Sequence, residues 1–166
     1  MLAAVDVSYR ATDAVASCVI FHGWGDPRET SAQVARIASV APYEPGAFYR
    51  RELPCLLAVL SEARTPLEVI VIDGYVWLSE DNRLGLGAHL FEALERRTVI
   101  VGVAKTGFAG SSFAVPVVRG SGGRALFVTA AGVEPAVAAG WIRSMHGANR
   151  IPTLLKRTDR LCRDAK

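Results

Sequence analysis

Two aspartates stand in apolar segments that predict β-strands. Asp6 lies between Val5 and Val7, and Asp73 ends the apolar run 67–72. A carboxylate buried without a partner costs several kcal/mol, so both side chains need a positive charge nearby. Mg²⁺ suits this role, because it accepts a few carboxylate oxygens and keeps water for a reaction. Spacing alone leaves a structural salt bridge, or a turn-capping role for Asp73, as alternatives.

Charge is distributed unevenly along the 166 residues, whose formal net charge is +3. Residues 1–83 hold 7 basic and 11 acidic side chains, whereas residues 84–166 hold 12 basic and 5 acidic ones. The most basic stretch, 150–166, permits an anionic ligand. A solvated basic helix face is the simpler interpretation of this stretch when it is taken alone.

The composition is that of one globular domain over residues 1–166. With 51% hydrophobic and 21% charged residues, the chain is too apolar for intrinsic disorder and matches no collagen or coiled-coil class. No apolar run approaches the roughly 18 residues that span a bilayer. The first residues lack the basic segment of a secretory signal, so we expect a cytoplasmic location. The three cysteines match no zinc or CxxC spacing and are expected to be reduced thiols in the core.

The first half of the chain predicts an antiparallel meander followed by a helix. Strands are expected over 2–9, 14–22 and 31–40, where β-branched and apolar residues alternate or cluster. The segment 52–62 has the spacing of a helix that is buried on one face, with Pro54 in its first turn.

The second half predicts parallel strands that are covered on both faces. The segments 67–73 and 98–103 are almost continuously apolar, and a helix over 84–95 joins them as a βαβ unit. A hairpin and two helices complete the chain, over 113–118 with 125–129, over 134–147 and over 152–163. The expected architecture is α/β, a mixed sheet flanked by helices in the order βββαβαββαα.

Five short motifs follow one another along the chain. They are Val5-Asp6-Val7-Ser8-Tyr9, Pro42-Tyr43-Glu44-Pro45-Gly46, Arg51-Glu52-Leu53-Pro54, Val71-Ile72-Asp73-Gly74 and Gly102-Val103-Ala104-Lys105. Their order and spacing closely resemble the motifs of the endonuclease V family over most of the chain. Arg150-Ile151-Pro152, followed by Asp159, is similar to the R-[IL]-P stretch of that family and the acidic or histidine position beyond it. The resemblance implies a ribonuclease H-like fold, which agrees with the predicted elements.

The resemblance also implies which residues form the catalytic site. Asp6, Glu52 and Asp73 would bind the metal, Lys105 would lie beside the scissile phosphate, and Asp159 would complete the site. Three carboxylates can hold one or two Mg²⁺ ions, and a lysine can offset developing charge. The alternatives are a helix-dipole partner for Glu52, a surface amine for Lys105, and a helix ion pair of Asp159 with Arg163.

Nucleic-acid contacts are expected around the proline-rich motif. In the family, this loop opens the duplex beside a lesion, a role that would fall on Pro42, Tyr43, Glu44 and Pro45. An aromatic side chain between prolines is a rigid stacking platform, although it could instead pin the loop on the core. We also expect contacts from two residues within matched motifs, Arg51 and Gly74.

One segment departs from the family. After the strand-end aspartate, the family continues D-G-x-G-x-x-H-P-R and forms a glycine-rich pocket for the extruded hypoxanthine base. This chain reads Asp73-Gly74-Tyr75-Val76-Trp77-Leu78. We therefore expect Tyr75, Val76 and Trp77 to fill the pocket and weaken discrimination for inosine. The alternative is that the bulky residues turn inward as core packing.

These features predict an endonuclease that depends on Mg²⁺, with Mn²⁺ as a substitute. It would hydrolyse phosphodiester bonds in DNA or RNA near inosine or otherwise irregular bases, as in DNA repair, with no membrane or obligate protein partner. A non-catalytic nucleic-acid-binding relative with a rewritten base pocket is the main alternative. A small-molecule phosphohydrolase with Asp6 as nucleophile is less favoured, because Asp6-Val7-Ser8 lacks a second acid.

Overall fold

The centre of the fold is a mixed β-sheet. The computed structural model describes residues 1–10, 13–42, 44, 48–81, 83–107 and 112–165. Within these residues, seven strands and four helices follow one another as β1 (Leu2–Tyr9), β2 (Ala14–Phe21), β3 (Ser31–Ile37), α1 (Tyr49–Ser61), β4 (Val69–Asp73), α2 (Leu86–Ala93), β5 (Val99–Ala104), β6 (Val115–Val118), β7 (Ala125–Ala131), α3 (Pro135–Ser144) and α4 (Thr153–Asp164).

The strands lie in the spatial order β3-β2-β1-β4-β5-β7-β6. The predicted meander is confirmed, since β2 pairs antiparallel with both β1 and β3. β4 pairs in parallel with β1 and β5, and β6 and β7 form the predicted antiparallel hairpin. The α/β class and the mixed sheet are therefore confirmed. Each of the seven observed strands overlaps a segment predicted as a strand, and the observed order is βββαβαβββαα. The predicted order βββαβαββαα counts two strands between the second and third helices, where the structure has the three strands β5, β6 and β7.

Helix α1 begins earlier than the sequence predicts. It starts at Tyr49 rather than at residue 52, so Pro54 lies inside the helix and not in its first turn. Pro54 is on the exposed side, where water can replace the helical donor that proline lacks. The early start places Glu52 in the first turn of α1, with its side chain buried.

Helices cover both faces of the sheet. Residues of β4 alternate between the two cores, so that Val71 packs with the side chains of α3 and α4, and Ile72 with those of α1 and α2. This double coverage explains why β4 is continuously apolar. The cysteines Cys18, Cys55 and Cys162 are free and buried, as predicted. None of the helices in the described part of the chain is long and apolar enough to cross a membrane.

Parallel pairing brings the candidate site residues to one edge of the sheet. Val5 pairs with Ile72, so Asp6, at the point within β1 where the pairing with β4 ends, lies beside Asp73 at the end of β4. Asp73 in turn lies opposite Val103, two residues before Lys105. Because the carboxyl ends of parallel strands share an edge, these three side chains come from neighbouring strands at the same end of the sheet.

The segment that leaves this edge packs tightly on β5. A Cβ atom at Gly102 would lie 2.6 Å from the carbonyl oxygen of Gly74, 2.8 Å from Oγ1 of Thr129 and 2.9 Å from the backbone nitrogen of Val76. Only glycine leaves room for this close approach. Gly102 therefore sets the path of the chain after Asp73.

We expect Gly102→Ala to destabilise the protein. The added methyl group must displace the backbone around Gly74 and Val76, and overpacking of this kind costs about 1–3 kcal/mol of unfolding free energy. Gly25→Ala is the matched control, since a Cβ there meets nothing within 4 Å. Chemical denaturation of both variants measures the difference, and equal unfolding free energies would contradict the prediction.

Candidate active site

Three carboxylates from three elements form the centre of the site. Glu52 of α1 is only 6% exposed, Asp6 of β1 is half-buried, and Asp73 lies exposed at the end of β4. Burial, and then the charges of Asp6 and Asp73, raise the pKa of Glu52 to about 8. Burial, and then the charge of Asp73, raise the pKa of Asp6 to about 6. The three groups therefore repel one another when all are ionised.

Lys105 supplies positive charge at the same edge. Its ammonium group forms an ion pair with Oδ2 of Asp73. The guanidinium group of Arg150 fixes the backbone of Lys105 by donating a hydrogen bond to its carbonyl oxygen. The same group donates to the carbonyl oxygen of Ala125 at 2.7 Å. Arg150 thus joins the end of β5 to the start of β7. It was not among the site residues predicted from the sequence, although it begins the Arg150-Ile151-Pro152 motif.

Asp159 of α4 faces the same region. It lines a cavity together with Asp6, Asp73 and Lys105, and its negative charge helps to raise the pKa of Asp6, after burial and Asp73. Its Oδ1 also accepts from Arg163 at 2.9 Å. The site-facing position and the helix ion pair, which the sequence left as alternatives, are therefore both present.

Arg51 lies in the interior beside Glu52. Its guanidinium carbon is 3.9 Å from the centre of the Tyr9 ring, in a cation–π contact. The charge of Arg51 opposes the rise in the pKa of Glu52, which burial and the two aspartates cause. The predicted contact of Arg51 with nucleic acid remains a prediction. In the structure Arg51 contacts the ring of Tyr9, and its positive charge favours the ionised form of Glu52. Tyr9, which is the last residue of the first motif, was not predicted as a site residue.

The donor set suits a hard divalent cation. Among the described residues, no group of three or more His, Cys, Asp or Glu side chains forms an arrangement that could hold a metal ion. Two observations nevertheless favour a cation. Oε2 of Glu52 is buried without a hydrogen-bond partner, and the ammonium group of Lys105 interacts with three carboxylates at once, those of Asp73, Asp6 and Asp159. Carboxylate oxygens are the ligands that Mg²⁺ prefers, so Asp6, Glu52 and Asp73 fit this ion.

The segment after Asp73 turns toward the core. Gly74 has a φ of +136°, which disfavours other residues, and the chain then descends onto β5 and β7. Val76 is fully buried and its N–H donates to Oγ1 of Thr129 at 2.8 Å. The indole N–H of Trp77 donates to the carbonyl oxygen of Ala130 at 2.8 Å. The prediction that Val76 and Trp77 fill a base pocket is therefore wrong, and the inward alternative is correct for both.

A cavity of about 270 Å³ remains beside Asp73, on the side of the sheet that α1 and α2 cover. We call it the α1 cavity. Gly74 and Tyr75 form part of its wall, and the hydroxyl of Tyr75 donates to the carbonyl oxygen of Thr106 at 2.9 Å. The remaining walls were not predicted and come from Phe48, Tyr49, Leu78, Leu84, Gly85 and Leu86. Phe48 and Tyr49 lie between two matched motifs, which is the one sequence signal that points to them.

The proline-rich motif is described only in part. Pro42 is exposed, and Glu44 pairs with Arg50 at 3.0 Å. Tyr43 and Pro45, the other predicted nucleic-acid contacts of this motif, lie outside the described residues.

Comparison with known proteins identifies the family. The fold and the carboxylate edge define an α/β domain with an acidic site, and the family model for endonuclease V matches residues 1–157. The chain belongs to the endonuclease V family.

Individual relatives agree with this result. Endonuclease V of Streptomyces coelicolor is 32% identical over an alignment 187 positions long, gaps included, which covers 97% of this chain and 77% of that protein. Endonuclease V of Rippkaea orientalis is 33% identical over 89 residues, 54% of this chain and only 38% of that protein. The crystal structure of endonuclease V from Streptomyces avermitilis superposes with a TM-score of 0.78 at 28% identity, covering 98% of this chain and 79% of that one. The match thus spans about two fifths of the length of the Rippkaea orientalis protein and about three quarters of the length of the Streptomyces coelicolor protein.

We expect Glu52→Gln to stabilise the protein at pH 8 when no divalent cation is present. The pKa of Glu52 is raised from 4.5 to about 8 in the folded state, so the unfolded chain loses this proton at a lower pH than the folded protein does. The free energy of unfolding therefore falls as the pH rises through this range. Glutamine has no such proton, so the melting temperature of the variant should exceed that of the wild type at pH 8 by about 2 °C or more.

The same comparison at pH 5 provides the internal check, because the difference should shrink where Glu52 keeps its proton. Glu62→Gln is the matched control, since Glu62 is exposed at the end of α1. A melting-temperature difference for Glu52→Gln that does not vary between pH 5 and pH 8 would refute the electrostatic origin.

Proposed function

We propose that this protein is a metal-dependent endonuclease that hydrolyses phosphodiester bonds in nucleic acid, near inosine or other irregular bases. The observation that carries this proposal is the cluster of Asp6, Glu52 and Asp73 beside Lys105, in which burial and then the charge of Asp73 raise the pKa of Asp6, and burial and then the two aspartates raise the pKa of Glu52. Membership of the endonuclease V family supports it independently.

Each site residue has a role that follows from its position. Asp6, Glu52 and Asp73 would hold Mg²⁺, or Mn²⁺ in its place, and the ion when bound supplies water activation and charge stabilisation. The ammonium group of Lys105, now paired with Asp73, is placed to offset negative charge on a phosphate at this edge. Asp159 adds an acceptor oxygen to the wall, where it can orient a water molecule.

The raised pKa of Glu52 couples protonation to cation binding. Burial first, and then the two aspartates, hold a proton on this carboxyl group near neutral pH. A cation at the cluster would replace that proton, so binding of the metal should release protons and become tighter as the pH rises.

The α1 cavity suits a base that has left the stack. Its described walls are mostly aromatic and aliphatic, and the ring of Tyr49 is itself stacked on His89 with centroids 3.6 Å apart. A preformed aromatic wall of this kind can stack on a flipped base. The N–H groups of Gly74 and Gly85 already donate to the carbonyl oxygens of Val103 and Val76. Because these two donors are not available to read the edge of the base, we expect only modest discrimination for inosine.

We expect Asp73→Asn to abolish cleavage with little change in binding. Loss of one carboxylate from the cluster should lower the rate by about 10²-fold or more, whereas nucleic-acid affinity depends mainly on basic groups. Cleavage and binding are measured on labelled oligonucleotides with and without inosine, with Mg²⁺ present. Asp164→Asn, at the exposed end of α4, is the control. Tight binding by the wild type without any cleavage would favour the non-catalytic alternative.

We expect Tyr49→Ala to weaken binding of an inosine-containing oligonucleotide. Loss of one base stack costs about 1–3 kcal/mol, and Tyr49→Phe should retain the affinity because it keeps the ring. Fluorescence anisotropy at one fixed salt concentration measures both variants, with a matched oligonucleotide that lacks inosine. Equal losses in the alanine and phenylalanine variants would argue against stacking.

A further inference from the structure

A second and larger cavity opens on the opposite face of the sheet. It has a volume of about 480 Å³ and lies between α4 and the strands β1, β4 and β5. We call it the α4 cavity. Asp73 lines both this cavity and the α1 cavity, so the end of β4 separates the two. An extended ligand that lies across Asp73 therefore meets one cavity on each side.

The deep part of the α4 cavity is apolar. Its walls include Ala4, Val71 and Val103, which belong to the core that α3 and α4 cover, and the side chains of Ile151 and Leu155. The volume lies within the range of about 300–1,000 Å³ that is typical of small-ligand sites. A planar group of moderate size, such as a nucleobase, suits walls of this kind.

The mouth of the α4 cavity carries positive charge beside the acids. Lys105, Arg150 and Lys156 line it. The neighbouring residues Arg157 and Arg163 are engaged with Glu29 and Asp159, whereas Lys156 is exposed and forms no ion pair within the part of the chain that the structure describes. The mouth thus holds the carboxylates of Asp6, Asp73 and Asp159 together with these cations, and the ammonium group of Lys156 stands over an apolar interior. This combination matches a ligand that joins an anionic group to a flat apolar one.

We propose that the α4 cavity is a second nucleotide subsite. It takes the base and sugar of a nucleotide adjacent to the scissile bond, with the phosphate of that nucleotide at Lys105 and Lys156. The nucleic-acid strand passes over the end of β4, and the α1 cavity receives one of its bases on the other side of Asp73. This inference rests on the proposed function for the identity of the ligand as a nucleotide.

Direct binding of a mononucleotide tests the subsite. Adenosine 5′-monophosphate, adenosine and inorganic phosphate are titrated separately into the methyl-labelled full chain, without divalent cations. We expect saturable shifts of the methyl groups of Val71, Ile151 and Leu155 with the nucleotide. Adenosine lacks the anion and phosphate lacks the base, so each should bind at least about tenfold more weakly.

Two pairs of variants locate the binding. Leu155→Trp fills the cavity and should abolish nucleotide binding, whereas Val137→Trp, on the exposed surface of α3, should not. Lys156→Ala leaves the apolar walls unchanged and should weaken binding at least about fivefold. Its control, Arg64→Ala, removes an exposed charge before the start of β4, at the opposite end of the sheet. The Lys156 pair decides the question even if tryptophan at position 155 unfolds α4.

The results separate this inference from the proposed function. Nucleotide binding in the α4 cavity by a protein that cleaves no oligonucleotide would support the subsite and contradict the nuclease. Cleavage with an unchanged KM in Lys156→Ala would support the nuclease and overturn the subsite. The absence of saturable binding, or shifts confined to residues of the α1 cavity, would also overturn it.

Discussion

Repulsion between carboxylates at one edge of the sheet is the constraint on which the rest of the site depends. Parallel pairing of β1 with β4 sets Asp6 beside Asp73 where that pairing ends, and α1 buries Glu52 near them. Burial strengthens their interaction, because less water screens it. Neighbouring elements counter this charge: β5 leads to Lys105, and Arg150 braces the backbone of Lys105. The negative charge that remains is the physical reason to propose a divalent cation.

The same edge divides the surface into two unequal cavities. The α1 cavity has aromatic walls and little charge besides Asp73, which suits stacking on a base. The α4 cavity joins an aliphatic interior to a mouth that holds both acids and cations, which suits a whole nucleotide. Because helices pack on both faces of a buried parallel strand, the end of that strand is the one place where a ligand can reach both sides. The proposed chemistry lies at this point.

The segment after Asp73 packs onto the sheet beside the site. Of its three bulky residues Tyr75, Val76 and Trp77, only Tyr75 borders the α1 cavity. Val76 and Trp77 find hydrogen-bond partners on β7, in Thr129 and Ala130. Gly102 permits this, since any side chain there would collide with the descending backbone. Val76 and Trp77 are therefore held by the sheet, and the α1 cavity stays open beside them.

The sequence by itself determined the strands, the parallel βαβ unit and the family, because alternation, apolar runs and short motifs are properties of neighbouring residues. It also marked Asp6, Glu52, Asp73, Lys105 and Asp159 as candidates, although their roles remain predictions. Only the tertiary structure decided where Val76 and Trp77 point, since their partners Thr129 and Ala130 lie 53 residues further along the chain. The start of α1 at Tyr49, the brace from Arg150 to Lys105 and the two cavities were likewise decided there. Each depends on contacts between segments that are distant in sequence, and no local pattern encodes such contacts.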